Sequence, residues 1–429
     1  MFGFFTPRCP VELKYKVWVE RQMTFLADRL GIDRLRRASV LTPGQLANSP
    51  DELFTQLRDH LGVRIPVTWE AVDELPELGT PPAEDGRYLE SAGAAKIRVE
   101  TRQLKKREPL AANFVHELCR AILLGEKHLT PDDELAEPTV ELLSVFLGTG
   151  ILTANHCVNF RQFLDGLWEG HVYSKHRHLA ADSFGYALAL FSWRREESPK
   201  SWQHALRPDA RDAMLGGLTY LNRTDDTVFT DRVQNVTSTG AIEDDLLGKS
   251  DSRRLLALWL LAERDSIDGQ LTEALQSCLE HSDPQFPIAT LQVLEKHPQL
   301  VEHVEDHLEI LLNHDRPGIP LQVLRVVSQR SPAPTRWLQQ AESILKNSQH
   351  LPTQLAAIHV LASNQARATE SLPALLDFAC LAVARDTDGL EEVVAAMKML
   401  TEDMSPIAAE LRAHVTDESI ALRLNTCLE

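Results

Sequence analysis

The sequence predicts a mostly α-helical protein with two folded parts, an α+β front part at residues 1–225 and an α-helical array at residues 251–429. Three observations support this prediction. Apolar residues recur at spacings of three and four along most of the chain, as they do on one face of a helix. Residues 226–250 are rich in Thr, Asp, Asn and Gly, which is typical of a linker. Beyond this linker, helical segments recur at a nearly constant interval.

Two helices are predicted near the start of the front part. Residues 11–31 carry the helical apolar spacing and end in a glycine. Residues 51–61 carry it again, between a capping residue, Ser49 or Asp51, and Gly62.

Strands and further helices follow. Strands are predicted at 63–69 and at 96–100, where apolar and polar residues alternate, and the Pro-, Gly- and Glu-rich residues 74–95 between them predict a loop. After the central helix described next, further helices are predicted at 156–170, 184–191 and 209–221.

The helix predicted at residues 113–124 contains a motif with possible chemistry. Pro109 suits its first turn and Gly125 suits its end. Residues 116–120 read His-Glu-Leu-Cys-Arg. Metallopeptidases use H-E-x-x-H on a helix, because two imidazoles four residues apart share a face and bind zinc, and the Glu serves as general base.

Arg120 occupies the position of the second histidine. A guanidinium group has donors but no acceptor and stays protonated. It cannot bind zinc, and its charge would repel a cation. This residue therefore argues against ordinary zinc hydrolysis.

Several segments together match one pattern. They are residues 116–120, 137–142 (EPTVEL), 145–150 (VFLGTG), 154–155 (AN) and 184–189 (FGYALA). In these segments the chain resembles a family of uncharacterised bacterial proteins with a zinc-metallopeptidase-like domain, over roughly residues 10–225. The resemblance implies a zincin-like helix core, with His116 and Glu137 as metal ligands and Glu117 as the base. The chain departs from the family pattern at Arg120 and at residues 140–141, and the family has no assigned substrate.

The acidic residues near Arg120 allow an interpretation without metal. Arg120 could form a charge-assisted pair with Glu117, Glu137 or Glu141 and so replace the lost cation. Burying these acids with neither a metal nor an arginine would cost several kcal/mol. In a simpler interpretation, the His-Glu pair lies on an ordinary amphipathic helix.

A substitute metal site is the competing hypothesis. Cys119 lies three residues after His116, and a thiolate is a good zinc ligand. His116, Cys119 and Glu137 would then hold zinc, with His156 as a possible fourth ligand.

A second histidine group, His171, His176 and His178, also allows a metal interpretation. Its spacing matches no standard template, and Lys175 and Arg177 lie between the histidines. The sequence therefore favours a solvated basic segment here.

The net charge of the chain indicates which kinds of partner the protein can bind. The net charge is −18, and residues 251–429 contribute −12 of it, with 26 acidic against 14 basic residues. This balance argues against binding to a nucleic-acid backbone. It favours a basic protein partner that binds the acidic repeat part.

The six cysteines are scattered along the sequence, which is typical of a protein in a reducing compartment. The N-terminus does not read as a signal peptide, and the longest apolar run is far shorter than the roughly 20 residues that span a bilayer. We therefore expect a soluble, cytoplasmic protein without membrane association.

The rear part shows helix pairs with a period in the mid-thirties. Similar apolar segments lie at 256–261, 289–294, 320–325, 356–361 and 393–397. They resemble HEAT-type repeats, which stack into an α-solenoid because one helix pair cannot bury its apolar face alone. Such an array presents a surface for another protein, or alternatively only supports the front part.

The leading functional hypothesis is a non-catalytic binding or scaffolding protein that needs no cofactor. The alternative is a metal-dependent peptidase with a substitute zinc ligand and Glu117 as its base. A third possibility is an inert structural or regulatory module for a neighbouring protein.

Overall fold

The structure of the 429-residue chain is a computed structural model. It describes residues 7–73, 88–91, 94–130, 133, 135–157, 179–233, 239–267, 271–316, 318–329, 334–348, 350–363, 368–385, 389–401, 403–415 and 418–428. Helix accounts for 72% and strand for 4%, which confirms a mostly α-helical protein.

The chain forms two compact units. Unit 1 comprises Met1–Val236 and Ser250–Leu256, and unit 2 comprises Thr237–Lys249 and Ala257–Glu429. The segment predicted as a linker, residues 226–250, contains a helix and contributes residues to both units. This helix buries Ile242 and Leu246, and polar composition alone cannot distinguish such a short amphipathic helix from a linker.

Eight helices lie in the described residues of unit 1, and two further short elements matter for the site. The helices are α1 (Leu13–Leu30), α2 (Ile32–Arg37), α3 (Pro50–Leu61), α4 (Arg107–Arg120), α5 (Ala136–Phe146), α6 (Gly150–Ala154), α7 (Ala181–Arg194) and α8 (Pro208–Thr224). A 3-10 helix at Thr101–Lys105 leads into α4, and a π-helical turn at Ala121–Gly125 follows it.

Local sequence explains where several of these helices begin and end. The Ser49 hydroxyl accepts the Glu52 backbone N–H at 3.3 Å and caps α3. Gly62 ends α3 in the left-handed conformation, where a residue without Cβ is favoured. Gly148, with a φ of +83°, separates α5 from α6, so the apolar residues on its two sides belong to two helices.

A three-stranded sheet precedes α4. Its strands are β1 (Val67–Val72), β2 (Tyr88–Ser91) and β3 (Ala94–Glu100), in the order β1-β3-β2. β1 runs parallel to β3, with Val67 opposite Ala95, and β2 is antiparallel to β3. The prediction of a loop over 74–95 is wrong for β2, because a four-residue strand is too short to show an alternating pattern. The helix predicted at 156–170 lies almost wholly outside the described residues.

The described residues of unit 2 form helices and the turns that connect them. The other helices that the structure describes are α9 (Thr239–Leu247), α10 (Asp251–Ala262), α11 (Thr272–Leu279), α12 (Gln285–Lys296), α13 (Glu305–Leu311), α14 (Gly318–Ser328), α15 (Thr335–Asn347), α16 (Leu351–Ala362), α17 (Ala368–Arg385), α18 (Leu390–Leu400), α19 (Ser405–Ala413) and α20 (Glu418–Leu428). A 3-10 helix at Pro298–His303 lies before α13.

The helices of unit 2 pack with their next-but-one neighbours. One row consists of α12, α14, α16, α18 and α20, and a second contains α15, α17 and α19. The five similar sequence segments lie in α10, α12, α14, α16 and α18, which are alternate helices. Their assignment to the HEAT class stays a prediction. No helix within the described ranges is both long and apolar enough to cross a bilayer.

Candidate functional site

Helix α4 presents the His-Glu-Leu-Cys-Arg motif at its C-terminal end. Glu117, Leu118 and Cys119 are buried, whereas His116 and Arg120 are partly exposed. The α-helix changes to the π-helical turn directly after Arg120. Single π-helical turns are rare and occur often at functional sites, because they move side chains out of the regular helical register.

Glu137 reaches the same place from the first turn of α5. This helix packs against both α4 and α1, and its side chains from Pro138 to Phe146 are buried. An acidic residue in a first turn is favoured by the helix dipole. The packing of α5 on α4 therefore brings Glu137 to the motif although 17 residues separate it from Arg120.

Arg120 bridges two carboxylates. Its Nη1 donates to Glu117 Oε2 at 3.2 Å, and its Nη2 donates to Glu137 Oε1 at 2.5 Å. The side chain of Glu117 is 6% exposed and that of Glu137 is 33% exposed. One guanidinium group thus compensates a buried and a half-exposed acid with charge-assisted hydrogen bonds.

His116 completes the cluster. Its Nε2 lies 3.6 Å from Glu137 Oε2, and its Nδ1 lies 3.4 Å from Glu117 Oε1. The four side chains His116, Glu117, Arg120 and Glu137, which we call the Arg120 cluster, therefore lie together. Its cationic centre is a fixed guanidinium group, which cannot act as a Lewis acid or activate a water molecule.

Known proteins give no further guidance. Comparisons of the chain with protein-family models, with curated proteins and with solved structures found no match. The chemistry of the Arg120 cluster therefore has to be judged from its own contacts.

The substitute metal site gains no support from the geometry. No group of three or more His, Cys, Asp or Glu side chains within the described ranges is arranged so that it could hold a metal ion. Cys119 is fully buried, and this burial raises the pKa of its thiol far above the usual value, which disfavours the thiolate that zinc requires. His156 follows α6 and is half-buried. The hypothesis itself is left for metal analysis to test.

Two other predicted groups have separate positions. Glu141 is buried, and its Oε2 accepts the Leu179 backbone N–H at 2.8 Å, just before α7. This bond satisfies a buried carboxylate and fixes the start of α7. His171, His176 and His178 lie outside the described residues.

A second polar cluster was not predicted from the sequence. Lys16 on α1 is 1% exposed, and its Nζ lies 3.1 Å from Glu20 Oε1, 3.5 Å from Asp226 Oδ2 and 2.8 Å from Ser252 Oγ. The Tyr186 hydroxyl donates to Glu20 Oε1. These five residues, which we call the Lys16 cluster, place one ammonium group between two carboxylates in the interior of unit 1.

The surroundings of Glu20 and Asp226 complete the Lys16 cluster. Glu20 Oε2 accepts the Val228 N–H at 2.7 Å, and Asp226 accepts the hydroxyls of Tyr220 and Ser250. Buried charges of this kind are tolerated only when each is paired and hydrogen-bonded. The cluster therefore joins α1 to chain segments more than 200 residues away.

We expect Glu20 to make the stability of unit 1 depend on pH. Burial raises the pKa of Glu20 above its ordinary value, although Lys16, Tyr186 and the Val228 N–H act in the opposite direction. A carboxyl group with a raised folded-state pKa contributes stability below its unfolded-state pKa and loses it as the pH rises through the folded-state pKa. The free energy of unfolding of wild type should therefore fall relative to that of Glu20→Gln as the pH rises from about 5 into the alkaline range.

Pulse-labelling hydrogen exchange in urea can measure this difference, because it follows peptides of unit 1 separately from those of unit 2. The Gln side chain does not titrate, so the comparison isolates the carboxyl group of Glu20. A difference between the two proteins that is constant across this pH range would contradict the expectation.

Proposed function

We propose that the protein is a non-catalytic binding or scaffolding protein, built on a degenerate zinc-metallopeptidase-like domain followed by HEAT-like repeats. The observation that carries this proposal is the bridge from Arg120 to Glu117 and Glu137. A peptidase of this kind needs a metal ion and a free carboxylate beside it. Here the carboxylate of Glu117 is engaged by a permanent cation.

Arg120 explains how the acids of such a site could persist without a metal. Two carboxylates at a helix–helix contact require positive charge, and a bidentate guanidinium group supplies it in place of the ion. The cleft would then serve as a structural element or as a peptide pocket. Residues 251–429, which carry −12 of the net charge of −18, would supply the surface for a protein partner.

Restoring the histidine tests the ancestry of this site. We expect Arg120→His to bind zinc, because His116 Nε2 and Glu137 Oε2 are already only 3.6 Å apart and the new imidazole would lie four residues from His116. Zinc at about 100 times its Kd should stabilise this variant by about 2.7 kcal/mol. Calorimetric titration and thermal unfolding with and without zinc would measure both effects.

Arg120→Gln is the matched control, since it removes the same charge without adding a ligand. Adding His116→Ala to Arg120→His should abolish the zinc affinity. If Arg120→His binds no more zinc than Arg120→Gln, the cluster does not derive from a metal site of this geometry.

Metal analysis of the purified wild type separates the proposal from the peptidase alternative. Stoichiometric zinc that is lost in His116→Ala, together with proteolysis that is lost in Glu117→Gln, would overturn the non-catalytic proposal. Purified protein that shows no proteolytic activity when zinc is added would support the proposal.

The partner surface can be tested on the full chain. Chemical cross-linking followed by mass spectrometry should place a bound partner on helices of unit 2, and the complex should weaken as salt rises from about 50 to about 300 mM. Cross-links confined to unit 1, or a complex insensitive to salt, would argue against the acidic array as the binding surface.

A further inference from the structure

Unit 1 contains a cavity of about 370 Å³ beside α2, the C-terminal end of α3 and the turn after α5. Its polar lining consists of Asp33, Arg34, Arg37, Ser39 and His60. This volume lies at the small end of the range for small-molecule pockets. Two of the lining residues are arginines and a third is a histidine, against one acid, although the whole chain carries a net charge of −18.

Arg34 is fixed in the wall of this cavity. Its Nη2 donates to the Leu61 carbonyl at 2.5 Å and to the Gly62 carbonyl at 3.2 Å, which holds the guanidinium group at the end of α3. Its Nη1 is buried and makes no hydrogen bond to any residue that the structure describes. Because Nη1 is buried, Arg34 contributes to this wall mainly a fixed positive charge.

The charges around the cavity are only partly balanced. The negative charge of Glu126 stabilises the charged form of Arg34, whereas the positive charge of Arg64 destabilises it. Burial lowers the pKa of Arg34, and it also lowers the pKa of His60, whose ring lies against the backbone carbonyls of Leu147 and Ser39. At the rim, Arg37 lies 3.9 Å from Asp33, and both side chains are largely exposed. A negatively charged group in the cavity would therefore meet more positive than negative charge.

The backbone holds the walls in place. A Cβ on Gly148 would lie 2.2 Å from the Ser39 carbonyl oxygen, so only glycine allows the segment after α2 to approach this turn. The Gly148 carbonyl accepts the Leu41 N–H at 2.9 Å. Arg195 Nη1 donates to the carbonyls of Leu35 and Ala38 and fixes the end of α2. A preformed cavity loses little conformational entropy when it binds a ligand.

We propose that this cavity binds the phosphate or carboxylate group of a small molecule, with Arg34 and Arg37 as its charge partners and the His60 ring beside it. Guanidinium groups match such oxyanions because their N–H donors form a planar fork. The Ser39 hydroxyl adds a further donor at the lining. The site is separate from the Arg120 cluster, so it goes beyond the proposed function and does not depend on it.

Titration of the full-length protein with inorganic phosphate and, separately, with acetate tests the proposal. The readout is the pKa of the His60 imidazole by NMR, with its resonance assigned by its loss in His60→Gln. We expect a saturable rise in this pKa with one or both anions, because a bound anion stabilises the imidazolium form. A response to phosphate alone identifies phosphate as the group, and a response to acetate alone identifies carboxylate. No saturable change with either anion overturns the proposal.

Substitutions at the rim distinguish this site from general anion attraction. Arg37→Gln should weaken anion binding about fivefold, and Asp33→Asn should strengthen it. Arg58→Gln is the matched control, because Arg58 lies on α3 two residues before His60, pairs with Asp59 and does not line the cavity. Equal weakening by Arg58→Gln and Arg37→Gln would overturn the proposal. Arg34 is left unchanged in these tests because its contacts also end α3.

Discussion

Replacing Lys16 with Met is expected to lower the free energy of unfolding of unit 1 by about 3–5 kcal/mol. The substitution keeps the length and apolar stem of the side chain but removes the ammonium group between Glu20 and Asp226. Two carboxylates would then remain, Glu20 fully buried and Asp226 mostly so, with no cation beside them. Removing one partner of a buried ion pair costs more than the pair contributes, because the other charge is left uncompensated.

Lys14→Met is the matched control for this measurement. Lys14 lies on the same helix, is half-buried and places its ammonium group 5.0 Å from the ring of Tyr15. Its replacement should cost less than about 1 kcal/mol. Pulse-labelling hydrogen exchange in urea would report both values for peptides of α1. Similar losses for Lys14→Met and Lys16→Met would show that the buried ion pairs do not determine the stability of unit 1.

Acid should reduce the effect of Lys16→Met. Without the ammonium group, the carboxylates of Glu20 and Asp226 can avoid an uncompensated charge by binding protons, which favours the neutral form. The stability difference from wild type should therefore be smaller near pH 4 than near pH 8. A difference that stays the same at both pH values would point to a packing defect rather than to lost charge compensation.

The Lys16 cluster shows where sequence patterns stop being informative. Lys16 and Glu20 are four residues apart on a helix, which is also the spacing of an ordinary exposed ion pair. Asp226 and Ser252 lie more than 200 residues further along the chain, and no periodicity connects them to α1. Burial of such a pair depends on tertiary packing. The sequence does contain one indication of a buried polar cluster. Tyr186 lies inside the apolar segment 184–189, and a buried tyrosine hydroxyl needs a hydrogen-bond partner.

Features set by local chemistry could be predicted more accurately. The end of α3 follows from Gly62, and its start follows from Ser49 within one residue. Pairing of Arg120 with nearby acids could also be anticipated, because Glu117 lies three residues away on the same helix and Glu137 opens the next one. The π-helical turn after Arg120 could not, because the sequence of Ala121–Gly125, AILLG, is equally compatible with a regular α-helix that ends at a glycine.

The segment 184–189 has a structural explanation in which no residue needs catalytic chemistry. Gly185 lies where α7 packs against α8, and Tyr186 satisfies Glu20 from the following position. A Cβ on Gly185 would lie 2.4 Å from the Ala210 carbonyl oxygen and 2.7 Å from the Ala213 Cβ. Neither the backbone oxygen nor the methyl group can move aside without separating the helices.

Gly185→Ala is therefore expected to destabilise unit 1 by about 3 kcal/mol, even though alanine is the better helix former. Gly216→Ala on α8 should do the opposite and stabilise it by about 0.5–1 kcal/mol, because its Cβ would meet only Pro10 Cβ at 3.7 Å. The same chemical change thus has opposite expected signs at two glycines of one helix pair. Urea denaturation with hydrogen exchange on peptides from α7 and α8 would measure both. A stabilising Gly185→Ala would mean that the two helices do not approach this closely, and the packing explanation of the 184–189 segment would fail.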